Sequence, residues 1–258
     1  MKLNSLKVFM ALTVTVLLAG ATAFASETDA RIESSARQSY VFKVYLNNDA
    51  IKITSTDGAV ALTGTVAEES HRALATETVA SLPGVVSVND QLVLKDAVPA
   101  ENSDGWVGMK VKTALLFHRN VNAFKTQVDV KEGVVTLKGE ALSQAQKELA
   151  GEYAKDVTGV KDVKNEMVVV PVPVASMQTL SEKIDDASIT AQVKVALLSH
   201  RSTSALNTKV TTNEGVVTVS GIAKNDAEKT LVSKLANDIN GVTSVINNMS
   251  IAEPVVTK

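Results

Sequence analysis

Glu132-Gly133-Val134-Val135-Thr136-Leu137-Lys138-Gly139 is the stretch on which the fold of this chain turns. Val135 and Leu137 alternate after the first glycine, and Val128 and Val130 alternate before it. Acid-glycine between two alternating runs predicts a β-hairpin, because glycine tolerates the positive φ of a tight turn. The same layout occurs at Asp57-Gly58 to Gly64 and at Glu214-Gly215 to Gly221. In all three places a further glycine stands twenty residues beyond the second: Gly84, Gly159 and Gly241. Counting back twenty-nine residues from Gly58, Gly133 and Gly215 reaches Asp29, Asp104 and Asp186. Four markers aligned without a gap in three copies are an internal repeat.

Between the markers the periodicity reads helix, strand, strand, helix, strand. The three aspartates are expected to be helix N-caps, short acceptors for the free amides of a first turn. Behind them Val107, Val111, Ala114 and Leu115 form one helical face, as do Ile189, Val193, Ala196 and Leu197. The copy-one stripe of Ile32, Ala36 and Tyr40 is weaker, interrupted by Ser39. Leu149, Ala150, Ala154 and Val157 define a second helix, with Ser143 and Gln146 as a capping box; Asn225 and Glu228 repeat the box. Copy one has Glu68 there, a poorer cap. The third glycine of each copy is expected to end that helix, and Val88, Val163 and Val245 open a last strand.

The reading is an α+β chain of three tandem αββαβ modules, each a small three-stranded mixed sheet with two helices packed on one face. The modules cover residues 29–95 (divergent), 104–170 and 185–251. The linker from Asp96 to Ser103 is short. The one from Pro171 to Ile184 is longer and opens on a stiff Pro171-Val172-Pro173, which predicts that copies two and three are held further apart than one and two. The uncovered sheet faces are left for a neighbouring module or a partner.

Residues 1–25 read as a signal peptide. Lys2 and Lys7 precede an apolar run from Val8 to Gly20, and Ala23-Phe24-Ala25 supplies the small-x-small cleavage pattern. An uncleaved anchor is the competing reading, although the run is short for a bilayer. Ala21 stands where a lipoprotein box needs cysteine, so lipid anchoring there is excluded. The expectation is a soluble periplasmic protein with no transmembrane segment in the mature chain. The chain has no cysteine, which removes disulfides, thiolate metal sites and thiol nucleophiles. After cleavage 24 basic and 28 acidic residues remain, with seven aromatics. That balance suits neither the phosphate backbone nor the stacked bases of nucleic acid.

Together the helix, the glycine-bounded hairpin, the capped helix and Gly159-Val160-Lys161-Asp162-Val163-Lys164-Asn165 resemble the BON-domain family. Glu214 to Gly221 and Gly241 to Asn247 carry the same resemblance in copy three. It spans roughly residues 29–251, with three modules where proteins of this kind usually carry two. It implies a periplasmic stress protein whose modules bind phospholipid surfaces or client proteins, with no cofactor and no catalytic residues to carry over.

No nucleophile, metal or phosphate-loop pattern occurs. The shared glycines read as turn and cap residues, and the paired acids Asp185-Asp186 and Glu68-Glu69 as helix-start charges. His118-Arg119 and His200-Arg201 close the first helices of copies two and three. They read either as contacts to anionic head groups or as positive charge favoured at a helix C-terminus. His71 reads as a solvated side chain. Copy two carries ten basic and nine acidic residues, against six and eight in copy one and six and six in copy three. It also holds Trp106, with Phe117 and Phe124. Trp106, Lys110, Lys112 and Arg119 are therefore the candidate contacts to anionic phospholipid; the plainer alternative is that Trp106 closes the core edge and the lysines are solvated. The competing function is a chaperone-like or scaffolding protein that binds envelope or client proteins through open sheet faces.

Overall fold

The computed structural model describes residues 27–96, 99–119, 121, 126–170, 183–200, 202–203 and 208–252. The leader, Phe124, the linker start at Pro171 and Arg201 lie outside the described residues. Copy one comprises helix α1 (residues 27–38), a π-helical turn Val41–Tyr45, strands β1 (Ala50–Thr56) and β2 (Ala59–Val66), helix α2 (Glu69–Ala80) and strand β3 (Ser87–Leu94). Copy two runs α3 (Asp104–Leu116), β4 (Thr126–Lys131), β5 (Val134–Ala141), α4 (Gln144–Lys155), β6 (Asp162–Asn165) and β7 (Val168–Val169). Copy three runs α5 (Asp186–Ser199), β8 (Thr208–Asn213), β9 (Val216–Ala223), α6 (Asp226–Asn237) and β10 (Ser244–Ile251).

Each hairpin closes on a two-residue turn with both φ angles positive: Asp57 at 51° and Gly58 at 78°, Glu132 at 53° and Gly133 at 81°, Glu214 at 50° and Gly215 at 77°. Such turns match the right-handed twist of the paired strands. An aspartate or glutamate in this region is strained, and the aspartates of the repeat explain how it is held. Asp104 accepts from the amides of Glu132 (2.7 Å) and Gly133 (2.9 Å). Asp186 does so from Glu214 and Gly215, and Asp29 from Asp57 and Gly58. These residues are therefore not N-caps, as the sequence suggested. The caps of α3 and α5 are Ser103, accepting from Trp106 N, and Asp185, accepting from Ser188 N. Asp104 and Asp186 stand one residue inside the helix and clamp the turn across the module. Hydrogen bonds to a charged acceptor contribute more than neutral ones.

The third glycine also differs from its expected role. The second helices end at Ala80, Lys155 and Asn237 with right-handed C-caps Ser81, Asp156 and Asp238. Gly84, Gly159 and Gly241 stand three residues later at φ near 90°, wedged between the first helix and the hairpin turn. A Cβ on Gly159 would meet Val107 Cγ2 at 2.8 Å, and one on Gly58 would meet the Gly84 carbonyl at 2.6 Å. Gly64, Gly139 and Gly221 lie in the middle strands opposite Ile51, Thr126 and Thr208. We expect Gly215→Val to destabilise the chain by about 1 kcal/mol or more, since a β-branched residue resists positive φ and its Cβ would stand 2.9 Å from the Gly241 carbonyl. Thermal melting checks this; an unchanged midpoint would contradict the turn assignment.

In every copy the second strand is central, antiparallel to the first and parallel to the last, with the second helix as the crossover. In copy two the last strand is split between β6 and β7, both on β5. Asn165 caps the split: its amide donates to Lys147 O and its oxygen accepts from Met167 N. Asn247 repeats this with Lys229 and Met249. Copy one has Asp90, which likewise accepts from Leu92 N but, having no amide to donate, accepts from the Arg72 guanidinium of α2 at 2.8 Å. The capping boxes form at Ser143 with Gln146 and at Asn225 with Glu228, whereas the Glu68 side chain caps no backbone amide of its helix and accepts only from the Ser70 hydroxyl at 3.3 Å.

The copies are docked, contrary to the separation of two and three inferred from the linkers. Helix α5 is the hub. Besides its own core residues Ile189, Val193 and Leu197, it buries Ala191, Gln192, Val195 and Ala196. Copies one and three share a single hydrophobic core, which Phe117 of copy two enters. Lys194 of α5 donates to Glu77 of α2 at 2.6 Å. The weak first helix of copy one breaks at Ser39, and copy three satisfies the freed amides. Tyr40 N donates to Asp185 Oδ2 at 2.7 Å and Val41 N to Ser188 Oγ at 3.0 Å.

Candidate functional site

Trp106 lies in the first turn of α3, half-buried against the copy-two core and over the turn at Gly159. One helical turn on, the Lys110 ammonium sits 4.3 Å from the centre of its ring. An ammonium over an indole face is attracted by the ring quadrupole. Burial pushes the Lys110 ammonium pKa down, while Glu101 opposes that shift. The two side chains thus form one amphipathic corner, with an apolar ring and a cation at its rim.

Lys112 and Arg119 do not join it. Two residues along a helix is about 200° of rotation, so Lys112 points away from Lys110 and lines a groove beside α2. Arg119 is committed to copy three. Its guanidinium donates to the carbonyls of Asn237, Ile239 (3.0 Å) and Val242 (2.8 Å), and its amide to Asp238 O. It does meet the free carbonyls of a helix end, but the helix is α6 and not its own.

The two Leu-Leu-x-His segments build a pseudo-twofold junction between copies two and three. His118 bridges to Ile239 and His200 bridges to Val157, two pairs at the same repeat offset. The His118 ring is buried and stacked on Tyr153, with centroids 3.6 Å apart and planes 4° from parallel. Tyr153 donates to Asp238 at 2.8 Å. Burial pushes the His118 imidazole down to about 4, with Asp238 opposing and His200 adding to the shift. His118 is therefore neutral near pH 7, which corrects its reading as a positive helix-end charge. His71 is not solvated either: its Nδ1 lies 2.5 Å from Asp49 Oδ2. Sequence inspection missed this junction because its partners are tertiary, such as Tyr153 and Asp238, 85 residues apart, and Arg119 and Val242, 123 apart; the matched His-Arg pairs were the available signal.

The uncovered sheet faces are mainly polar. Thr54, Thr63, Thr65 and Asn89 lie on that of copy one, with Val93 exposed among them, and Thr211, Thr218 and Ser220 on that of copy three, with Ile222 and Ile246 exposed. Among the described residues no group of acids and histidines is placed to hold a metal, and no helix is long and apolar enough to cross a membrane.

The repeat unit itself decides the family. The BON-domain profile matches residues 28–96, 103–171 and 185–253. This chain belongs to the BON-domain family. Its BON modules are similar to osmotically-inducible protein Y of Escherichia coli K12, 33% identical over 146 residues, 57% of this chain and 71% of that protein. They are also similar to an uncharacterized protein encoded in the gshII 5′ region of Anaplasma centrale, 33% identical over 120 residues, 46% and 77% of the two chains. Among solved structures, the C-terminal domain of CdsD, a structural protein of the type III secretion system of Chlamydia trachomatis, is 18% identical. It covers 86% of this chain and 96% of its own with a TM-score of 0.23, too low to carry an argument. Within the BON frame, the clamp aspartate, the turn glycine and the wedge glycine meet at one end of each module. Trp106 is the copy-two residue laid over that end.

Proposed function

We propose that this chain is a non-enzymatic, osmotic-stress binding protein of the periplasm, soluble after removal of residues 1–25, whose second BON module touches anionic phospholipid. The observation that carries the reading is the Trp106–Lys110 corner, a cation held against an indole ring at the module surface. The name of the Escherichia coli relative supports the stress role, and the basic-apolar-small leader supports export. Trp106 supplies an interfacial anchor and Lys110 the attraction to negative head groups. Lys112 contributes less, because it faces the groove, and Arg119 serves the junction between modules. No cofactor is required.

The test uses the fact that Trp106 is the only tryptophan in the chain. Its emission should shift to the blue on titration with anionic vesicles, not with neutral ones, and the shift should weaken as salt is raised. Each lysine near an anionic surface contributes about 1 kcal/mol, so removing the charge with Lys110→Gln should weaken binding about fivefold, and reversing it with Lys110→Glu about thirtyfold. Lys112→Glu should change it less. Equal response to neutral vesicles, or none to either, would turn the reading toward client proteins.

A further inference from the structure

Alongside α3 runs a groove formed with α2 and β4, two connected hollows of about 380 and 160 Å³ that share Glu68, Lys112 and Val128. Its floor is small and apolar. Gly105, Gly108 and Met109 of α3 face Val128 and Val130 of β4, with Leu94 at one end. Two glycines inside a helix lower its stability relative to alanine, and here they open the space. Carboxylates surround that floor: Glu68, Glu69, Asp96, Asp104 and Asp129, with Lys112 as the lining ammonium; Glu69 also meets Arg72 at 3.8 Å and Asp129 meets Lys138 at 3.4 Å from outside the groove.

Three consecutive β4 residues, Val128, Asp129 and Val130, line the groove. Successive side chains of a strand point to opposite faces, so the groove is presented with the strand's edge and not with one face. Among the described residues β4 pairs only with β5, and no strand pairs with its other side. An edge of this kind is a template for one more strand. The equivalent helix face in copy three is already covered by polypeptide. Ala191 and Val195 of α5, at the repeat positions of Met109 and Thr113, are buried in the core shared with α2. Lys194, the counterpart of Lys112, is paired with Glu77 of that helix.

We infer that this groove binds an extended, cationic and apolar segment of a partner polypeptide, added as a strand to the outer edge of β4. Apolar side chains fill the space above Gly105 and Gly108, and alternate basic side chains meet the carboxylate rim. A helix of thirteen residues is about 20 Å long, which six extended residues span. A phosphate head group is the wrong occupant, since it would meet five carboxylates and one lysine. The inference is separate from the lipid reading, because Lys110 and Trp106 do not line the groove.

The experiment is a fluorescence-anisotropy titration of the full chain with a labelled hexapeptide of alternating lysine and leucine. Controls replace lysine by glutamate, leucine by serine, or N-methylate alternate peptide bonds. The lysine-leucine peptide is expected to bind at least tenfold more tightly than each control. Gly108→Leu should weaken it at least tenfold, with a melting midpoint no lower than the parent's. A Cβ at Gly108 touches only Val130 Cγ2, at 3.4 Å. Asp96→Lys with Asp129→Lys should remove the preference over the glutamate peptide, and Gly108→Leu, which changes no charge, should leave vesicle binding unaltered. Comparable affinity for the glutamate or N-methylated peptide would overturn the proposal. So would indifference to Gly108→Leu, or no binding by any peptide at millimolar concentration.

Discussion

Phe117→Ala is expected to destabilise the whole chain by about 3–5 kcal/mol, the range for truncating a buried aromatic residue. Phe117 follows α3 in copy two, yet its side chain is fully buried in the core shared by copies one and three. Its ring meets Tyr45 of copy one edge-on, centroids 5.4 Å apart and planes at 86°. Such pairs add to the area they bury. The cavity would open where three modules meet and cannot be closed by moving one of them. Urea denaturation followed by circular dichroism should show a lower midpoint and a transition that broadens or splits as the modules uncouple. A loss below about 1 kcal/mol would mean that the modules are docked by other contacts.

Acidification should weaken the junction of copies two and three on the order of 3 kcal/mol, through His118. Its folded pKa lies near 4 and its ordinary value at 6.5, because burial opposes the charged ring. Above pH 6.5 both folded and unfolded chains hold it neutral, and the stability contribution is fully present. Between 6.5 and 4 the unfolded chain takes up a proton that the folded chain refuses, so stability falls. Below 4 both forms carry the proton and His118 causes no further loss. Asp238 at the end of α6 favours the proton and His200 at the end of α5 disfavours it. Arg119 is held beside them on the α6 carbonyls and Tyr153 lies across the ring. His118→Phe keeps the stack on Tyr153 and removes the titration. Urea stability measured from pH 7.5 to 4 should be flatter for the variant, and the difference between the two proteins separates His118 from His71 and His200. Parallel curves would contradict a buried, neutral His118.

What could be read from the sequence was whatever a few neighbouring residues decide. The hairpin turns at Gly58, Gly133 and Gly215, the alternating strands and the capping boxes at Ser143 and Asn225 are local, and the structure has them. Asp104 was misplaced as a cap because a carboxylate near a helix start has two uses. Its partner, the turn amide, is 29 residues away. The wedge glycines failed for the same reason: Gly159 answers to Val107 on another helix, not to the end of α4. The docking of copies was partly legible. After Asp186, α5 carries one charge, Lys194, and a helix without a polar face is buried all round. For the site, Trp106 and Lys110 are one turn apart and do meet. Lys112 was separable from Lys110 by helix geometry alone, whereas the destination of Arg119 depended on a tertiary contact.

The ion pair between Glu77 and Lys194 closes a loop of 117 residues, and that distance has a meaning in time. Chains are made from the N-terminus at roughly 5–20 residues per second, and domains tend to fold as they emerge. Copy one ends at Lys95 and α5 at Ser199, so copy one is complete in sequence roughly 5 to 21 seconds before the helix that covers it. During that interval α2 lacks its neighbour, and the amides of Tyr40 and Val41 lack the carboxylate and hydroxyl that receive them. Copy one is thus finished last although it is made first. A lesion in α5 should be felt at the opposite end of the chain, as proteolysis of residues 27–96 in the newly made protein.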